Sequence, residues 1–129
     1  LGGGQTGGGV AVEGDVETFI SQQYPGAVIL ERDYDDGYLE IDIRHDGVEK
    51  EVLFNGRNEW VRTEWETRSL PDAVQQAVEA GGYRISDREY DRVETPDGNW
   101  YEVEAVKDRR EWKLYVTDDG TIFDTRHDD

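Results

Sequence analysis

ILERDYD at residues 29–35 returns almost unchanged as ISDREYD at residues 85–91, 56 positions on. A short echo of this kind marks a structural unit built twice, provided that its flanks match as well. They do, at an offset of 62. Leu39 falls on Tyr101, Glu40 on Glu102, Ile41 on Val103, Asp42 on Glu104, Val52 on Leu114, Phe54 on Val116, Trp60 on Ile122 and Thr63 on Thr125. The six extra residues lie between Asp91 and Trp100, where Thr95-Pro96-Asp97-Gly98 signals a lengthened loop. Chance gives one seven-residue match more readily than four segments in register with polarity kept at each position.

Each copy opens with a short helix and continues as strands. Residues 15–23, DVETFISQQ, place Val16, Phe19 and Ile20 on one face, with Asp15 as a candidate cap and Glu17 at the positive end. Tyr24-Pro25-Gly26 stops that helix. Strands follow over 27–34, 38–44, 48–54 and 59–64. The second is the cleanest, with Leu39, Ile41 and Ile43 alternating against Tyr38, Glu40 and Asp42. Asp36-Gly37 and Asp46-Gly47 are turn dipeptides on either side of it. The pattern restarts at Ser69-Leu70-Pro71, with Ser69 as N-cap and Ala73, Val74, Ala77 and Val78 as the apolar stripe; Gly81-Gly82 ends the helix. Strands over 83–91, 100–106, 111–116 and 121–125 complete the second copy. The expected class is α+β: two tandem helix-plus-four-strand repeats, 15–66 and 69–129, forming one antiparallel sheet with helices on one face.

The chain has 129 residues and a net charge of −17, with 35% apolar and 11% aromatic residues. Charge pulls towards disorder, but the ordered alternation of four Trp and seven Tyr argues for a folded domain with a strongly solvated surface. Fourteen Lys and Arg against 31 Asp and Glu supply no footprint for nucleic acid, and anionic lipid would repel the chain. The acidic field favours a protein or peptide with a basic patch. With no Cys, disulfides, thiolate nucleophiles and cysteine-ligated metals are excluded. No apolar run reaches the roughly 20 residues needed to span a bilayer. Residues 1–14 read as a flexible Gly-rich leader, either an added tail or a tether to an export or lipid anchor; the start at Leu1 and the lack of Met fit a removed signal sequence or a trimmed chain.

YPGAVI at 24–29, YLEIDIRHDG at 38–47, EVLFNGRNEW at 51–60 and LPDAV at 70–74 together resemble the PepSY-like proteins, a family related in shape to beta-lactamase inhibitory protein. The resemblance spans about residues 15–129. It implies a concave tandem-repeat sheet, export to the periplasm or cell surface, and no assigned catalytic residues. The second copy departs from the pattern at Ala80-Gly81-Gly82-Tyr83, where the first has Tyr24-Pro25-Gly26-Ala27.

Sorting the strands by period two puts Leu39, Ile41, Ile43, Val52, Phe54 and Trp60 towards the helices. The opposite face then carries Tyr38, Glu40, Asp42, Leu53, Trp100, Glu102, Glu104 and Tyr115, with the matched pair Tyr34 and Tyr90 expected to flank it. Tyr and Trp beside carboxylates suit recognition of a protein, since each ring brings a large area with a polar tip; equally, cross-strand aromatic pairs steady a sheet. Arg32 and Arg88, also matched, suit ion pairs within each copy. Catalysis is poorly supplied. His45 and His127 each sit beside Asp, no nucleophile–base spacing occurs, and Asp33-Asp35-Asp36-Gly37 lacks the alternating ligands and closing Glu of a calcium loop. No metal or cofactor is expected. The leading expectation is an exported, non-catalytic protein that binds a partner through its open face, with an inhibitory or sensing role. Self-association is the alternative, and a cation-binding protein or small enzyme a more distant one.

Overall fold

The Asp-Gly pairs do what their stereochemistry allows. Asp36 and Gly37 have φ of 53° and 81°, Asp46 and Gly47 have 53° and 77°, and each pair closes a two-residue hairpin. The computed structural model describes residues 16–127, so the leader and the Asp15 cap lie outside the described residues. The elements are α1 (Val16–Gln23), β1 (Val28–Asp35), β2 (Tyr38–His45), β3 (Val48–Phe54), β4 (Trp60–Thr67), α2 (Asp72–Ala80), β5 (Arg84–Ile85), β6 (Tyr90–Thr95), β7 (Gly98–Lys107), β8 (Arg110–Thr117) and β9 (Ile122–His127). The class is α+β, mostly antiparallel strands with two helices. The chain divides into two compact units, one running to Trp65 and taking in 95–97, the other Glu66–Glu94 with the residues from Gly98 on.

In the first unit the strands follow the order β1-β2-β3-β4. Leu39, Ile41 and Ile43 of β2 and Val52 and Phe54 of β3 are buried with Val16, Ile20 and Tyr24 from α1 and its exit. Phe19 packs edge-on to Phe54 at 5.8 Å and lies 5.1 Å from the Trp60 ring. The one polar group on Trp60 is satisfied inside, its Nε1 donating to Thr63 Oγ1 at 3.0 Å. Lys50 is buried as well, with its Nζ 4.0 Å over the Trp65 ring and 2.8 Å from His45 Nδ1. His45 is therefore a packed residue against Tyr24, not the exposed turn histidine its neighbours in sequence imply.

In the second unit the order is β6-β7-β8-β9, with β5 also pairing to β7. Val74 and Val78 of α2 are buried with Tyr90, Val103, Ala105, Leu114 and Val116. Two expectations need correcting here. The strand expected over 83–91 is broken: β5 ends at Ile85 and β6 starts at Tyr90. Ser69 does not cap α2. Pro71 occupies the N-cap position without a side-chain bond, its carbonyl accepting from the amides of Val74 and Gln75. Proline suits the spot because its missing N–H would have had no helical partner anyway.

Registers in the two units correspond. Ile41 opposite Val52 recurs as Val103 opposite Leu114, and Val52 opposite Thr63 as Leu114 opposite Thr125. Each unit also slips by one residue at the same place, between Leu53 and Phe54 and between Tyr115 and Val116. The extra residues in the partner strands are Val61 and Phe123.

Gly120, in the turn before β9, has a φ of +92°, and a Cβ there would sit 2.7 Å from the Ala73 carbonyl oxygen of α2. Both the backbone and the contact exclude a side chain. Gly120→Ala should lower unfolding stability by about 1–3 kcal/mol, read as a lower urea midpoint at unchanged slope. An unchanged midpoint would mean that the turn does not abut α2.

Candidate binding faces

On each unit, the strand face turned away from the helix mixes aromatic and ionised side chains. In the first unit Glu40, Leu53 and Arg62 stand side by side across β2, β3 and β4, and Asp42, Glu51 and Glu64 form the next row. Residues directly opposite in a pair share a face, so Tyr38, Glu40, Asp42 and Leu53 lie together, as the alternation predicts. The β4 bulge adds to this row. Trp60 and Thr63 are both buried on the helix side, so Val61 and Arg62 project consecutively to the other. A groove of about 370 Å³ results, with Tyr38, Leu53 and Val61 among its lining and Asp33, Asp35, Asp36, Glu40 and Arg62 around it. Asp35 and Asp36 therefore belong to a strand end and a hairpin turn.

Tyr34 does not join them. It stands opposite Leu39, and Arg32 opposite Ile41, so both point to the helix side of β1. There Arg32 pairs with Glu17 of α1, the structural ion pair expected of it. A bulge between Ile29 and Glu31 is the reason. One extra residue reverses the alternation, carrying Asp33 and Asp35 to the open face and Tyr34 away from it. Tyr34 is still 77% exposed, because β1 is the last strand of its row. Tyr90 is corrected in the same way. The break over Ser86–Glu89 resets the alternation, and Tyr90 is a core residue, 3% exposed.

In the second unit Trp100, Glu102 and Tyr115 do come together. The indole Nε1 of Trp100 donates to Glu102 Oε2 at 3.1 Å, and Glu102 stands opposite Tyr115. Sequence reasoning missed the centre of the group. Phe123, the bulge residue of β9, is 49% exposed and lies edge-on to Trp100 at 5.6 Å and to Tyr115 at 6.2 Å. Its signal was available: Ile122-Phe123, like Trp60-Val61, puts two apolar residues in succession in a strand that otherwise alternates.

The same frame carries different chemistry on the two units. Glu51 in the first corresponds to Lys113 in the second, and Glu64 to Arg126. Lys113 Nζ lies 3.8 Å from Glu102, Arg126 bonds Asp124 at 3.1 Å, and the Arg126 guanidinium lies 5.0 Å from the Tyr115 ring centre. The second face is thus aromatic with interleaved ion pairs. The first is carboxylate-rich: oxygens of Glu40, Asp42 and Glu51 lie within 4.8 Å of one another, and Asp42 Oδ1 is buried without a hydrogen-bond partner. Burial, a hydrogen bond to Asp42 and the charges of Glu51, Asp42 and Asp33 push the Glu40 carboxyl up from 4.5 to about 7.

A carboxyl whose folded-state pKa is raised holds a proton that the unfolded chain has lost, so its contribution falls as pH rises from 4.5 to about 7. Glu40→Gln removes that loss. Its melting temperature should therefore decline less than the parent's between about pH 5 and pH 8, with little difference at the acid end. Parallel profiles would show that Glu40 titrates normally.

No family model matches the chain, and neither does any curated protein. Solved structures do. A BLIP-like protein from Bacteroides fragilis superposes with a TM-score of 0.71 at 23% identity, covering 90% of this chain and 86% of that one. A DUF2874 family protein from Bacteroides ovatus gives 0.68 at 25%, covering 91% and 88%. A protein from Bacteroides eggerthii, assigned by inference to the periplasm, gives 0.65 at 19%, covering 90% and 88%. Among the described residues no helix is long and apolar enough to cross a membrane. The chain has the fold of the BLIP-like proteins.

Proposed function

We propose that this chain is an exported, non-catalytic binding protein of the PepSY-like kind, one helix-and-strand unit built twice, which holds a protein or peptide partner against its open strand faces. The observation that carries the reading is an aromatic group on the strand face opposite α2, in which the exposed Phe123 ring lies edge-on to the half-buried rings of Trp100 and Tyr115. Such groups supply large contact area at small entropic cost and are favoured at the centres of interfaces. The corresponding frame in the first unit adds carboxylates, and the net charge of −17 favours a partner with a basic patch over nucleic acid or anionic lipid. A BLIP-like fold and a neighbour assigned to the periplasm support export and a role without chemistry.

One observation favours self-association as a second reading. Among the described residues β1 ends its row, and it exposes Val28, Leu30 and Tyr34 along that edge. Sedimentation at micromolar concentration separates the two, since a dimer through this edge would be lost in Leu30→Lys and unaffected by changes at Trp100.

The face is tested by a double variant, Trp100→Ala with Phe123→Ala, used beside the parent to retain proteins from the source cell envelope. Any partner the parent holds should be released, with affinity falling on the order of 30-fold or more while near-native melting is kept. Equal retention by both proteins would remove this surface from consideration.

A further inference from the structure

The groove of the first unit pairs an apolar floor with a ring of like charge. Tyr38, Leu53 and Val61 form the floor, and the carboxylates of Asp33, Asp35 and Glu40 approach from β1 and β2. Its volume of about 370 Å³ lies within the range of about 300 to 1,000 Å³ usual for ligand clefts and leaves ample room for one long side chain. The counterpart surface in the second unit is closed to such a role: its carboxylates face Lys113 and Arg126, and Phe123 fills the place of Val61. Within the first groove the cation is Arg62, whose Nε lies 3.5 Å from Glu64.

Resting on the reading of this face as a partner surface, we propose that the groove takes one arginine side chain of the partner, its aliphatic stem on Leu53 and Val61 and its guanidinium against Tyr38 and the Asp33, Asp35 and Glu40 carboxylates. Arginine satisfies both halves of the groove. Its stem buries against apolar surface while its head stays charged. Its planar guanidinium engages carboxylates two at a time and stacks on an aromatic ring, which an ammonium does less well.

Docking is linked to protons. The groups facing Glu40 are Asp33 from β1, Tyr38 and Asp42 from β2, Leu53 and Glu51 from β3, and Arg62 from β4. Burial, with crowding among the acids, keeps a proton on Glu40 near neutrality, and an arriving guanidinium favours its release. Binding should therefore strengthen as pH rises.

The probe is acetyl-Gly-Arg-Gly-amide, titrated into the full chain and followed by amide NMR shifts. The same peptide with lysine, and with uncharged citrulline, serves as control. At pH 8 the arginine peptide should give saturable shifts centred on Tyr38, Leu53 and Val61, with affinity on the order of tenfold weaker at pH 5.5. Asp33→Asn, at an exposed position, and Glu40→Gln, at a half-buried one, should each weaken it several-fold, and Glu40→Gln should flatten the pH dependence. Shifts that spread over the acidic surface without saturating, an equal response to citrulline, or equal binding of lysine would overturn the proposal. The outcomes separate it from the wider reading. Without a saturable arginine response the groove falls, and a partner still released by the Trp100 and Phe123 changes leaves the face standing. Saturable arginine binding in a protein whose partner ignores those changes keeps the groove and removes the aromatic face.

Discussion

Side chains along a β-strand alternate, so one extra residue exchanges the two faces of all that follows. This constraint governs the whole of both candidate surfaces. The bulge near Leu30 brings Asp33 and Asp35 to the open side and sends Tyr34 and Arg32 to the helix side. The bulges at Val61 and Phe123 each push an apolar side chain outwards while Trp60 and Ile122 stay against the core. Without these slips the first unit would have no groove and the second no aromatic centre.

Much of the fold was legible because it rests on the strongest signals a sequence carries. The apolar spacing of the helices, the Leu39-Ile41-Ile43 alternation and the Asp-Gly turns placed helices and most strands within a residue or two, whereas ISDREYD, read as one strand, is broken after Ile85. The core partners of β2 and β3 were likewise open to reading, since a buried face demands unbroken apolar periodicity. What escaped was phase. Tyr34 and Tyr90 both follow an irregularity, at Leu30 and over Ser86–Glu89, and strict counting put them on the wrong side. The β4 and β9 bulges hid in plain runs of two apolar residues, which resemble ordinary strand ends. Lys50 is another limit of pattern: a lysine among hydrophobic positions is not expected to be core until Trp65 and His45 close around it.

The two units spend a shared frame differently. Tyr38 and Trp100, Leu53 and Tyr115, Val61 and Phe123 stand at corresponding places, yet the swap of Glu51 and Glu64 for Lys113 and Arg126 neutralises one surface and leaves the other acidic. A face with balanced charge and large rings favours contact area, whereas a crowded carboxylate group favours a cation and ties its own ionisation to occupancy. The fold is that of BLIP-like proteins, and its chemistry here is set by a handful of outward positions that the core does not constrain.

The bulge geometry is open to a direct measurement, because the chain contains no cysteine. Single cysteines placed in turn at Trp60, Val61, Arg62 and Thr63 report their side by the rate of reaction with a thiol reagent under native conditions. Val61 and Arg62 should react quickly, and the buried positions Trp60 and Thr63 slowly. Strict alternation through the four would show that no residue is inserted there, and the groove built on them would have to be abandoned.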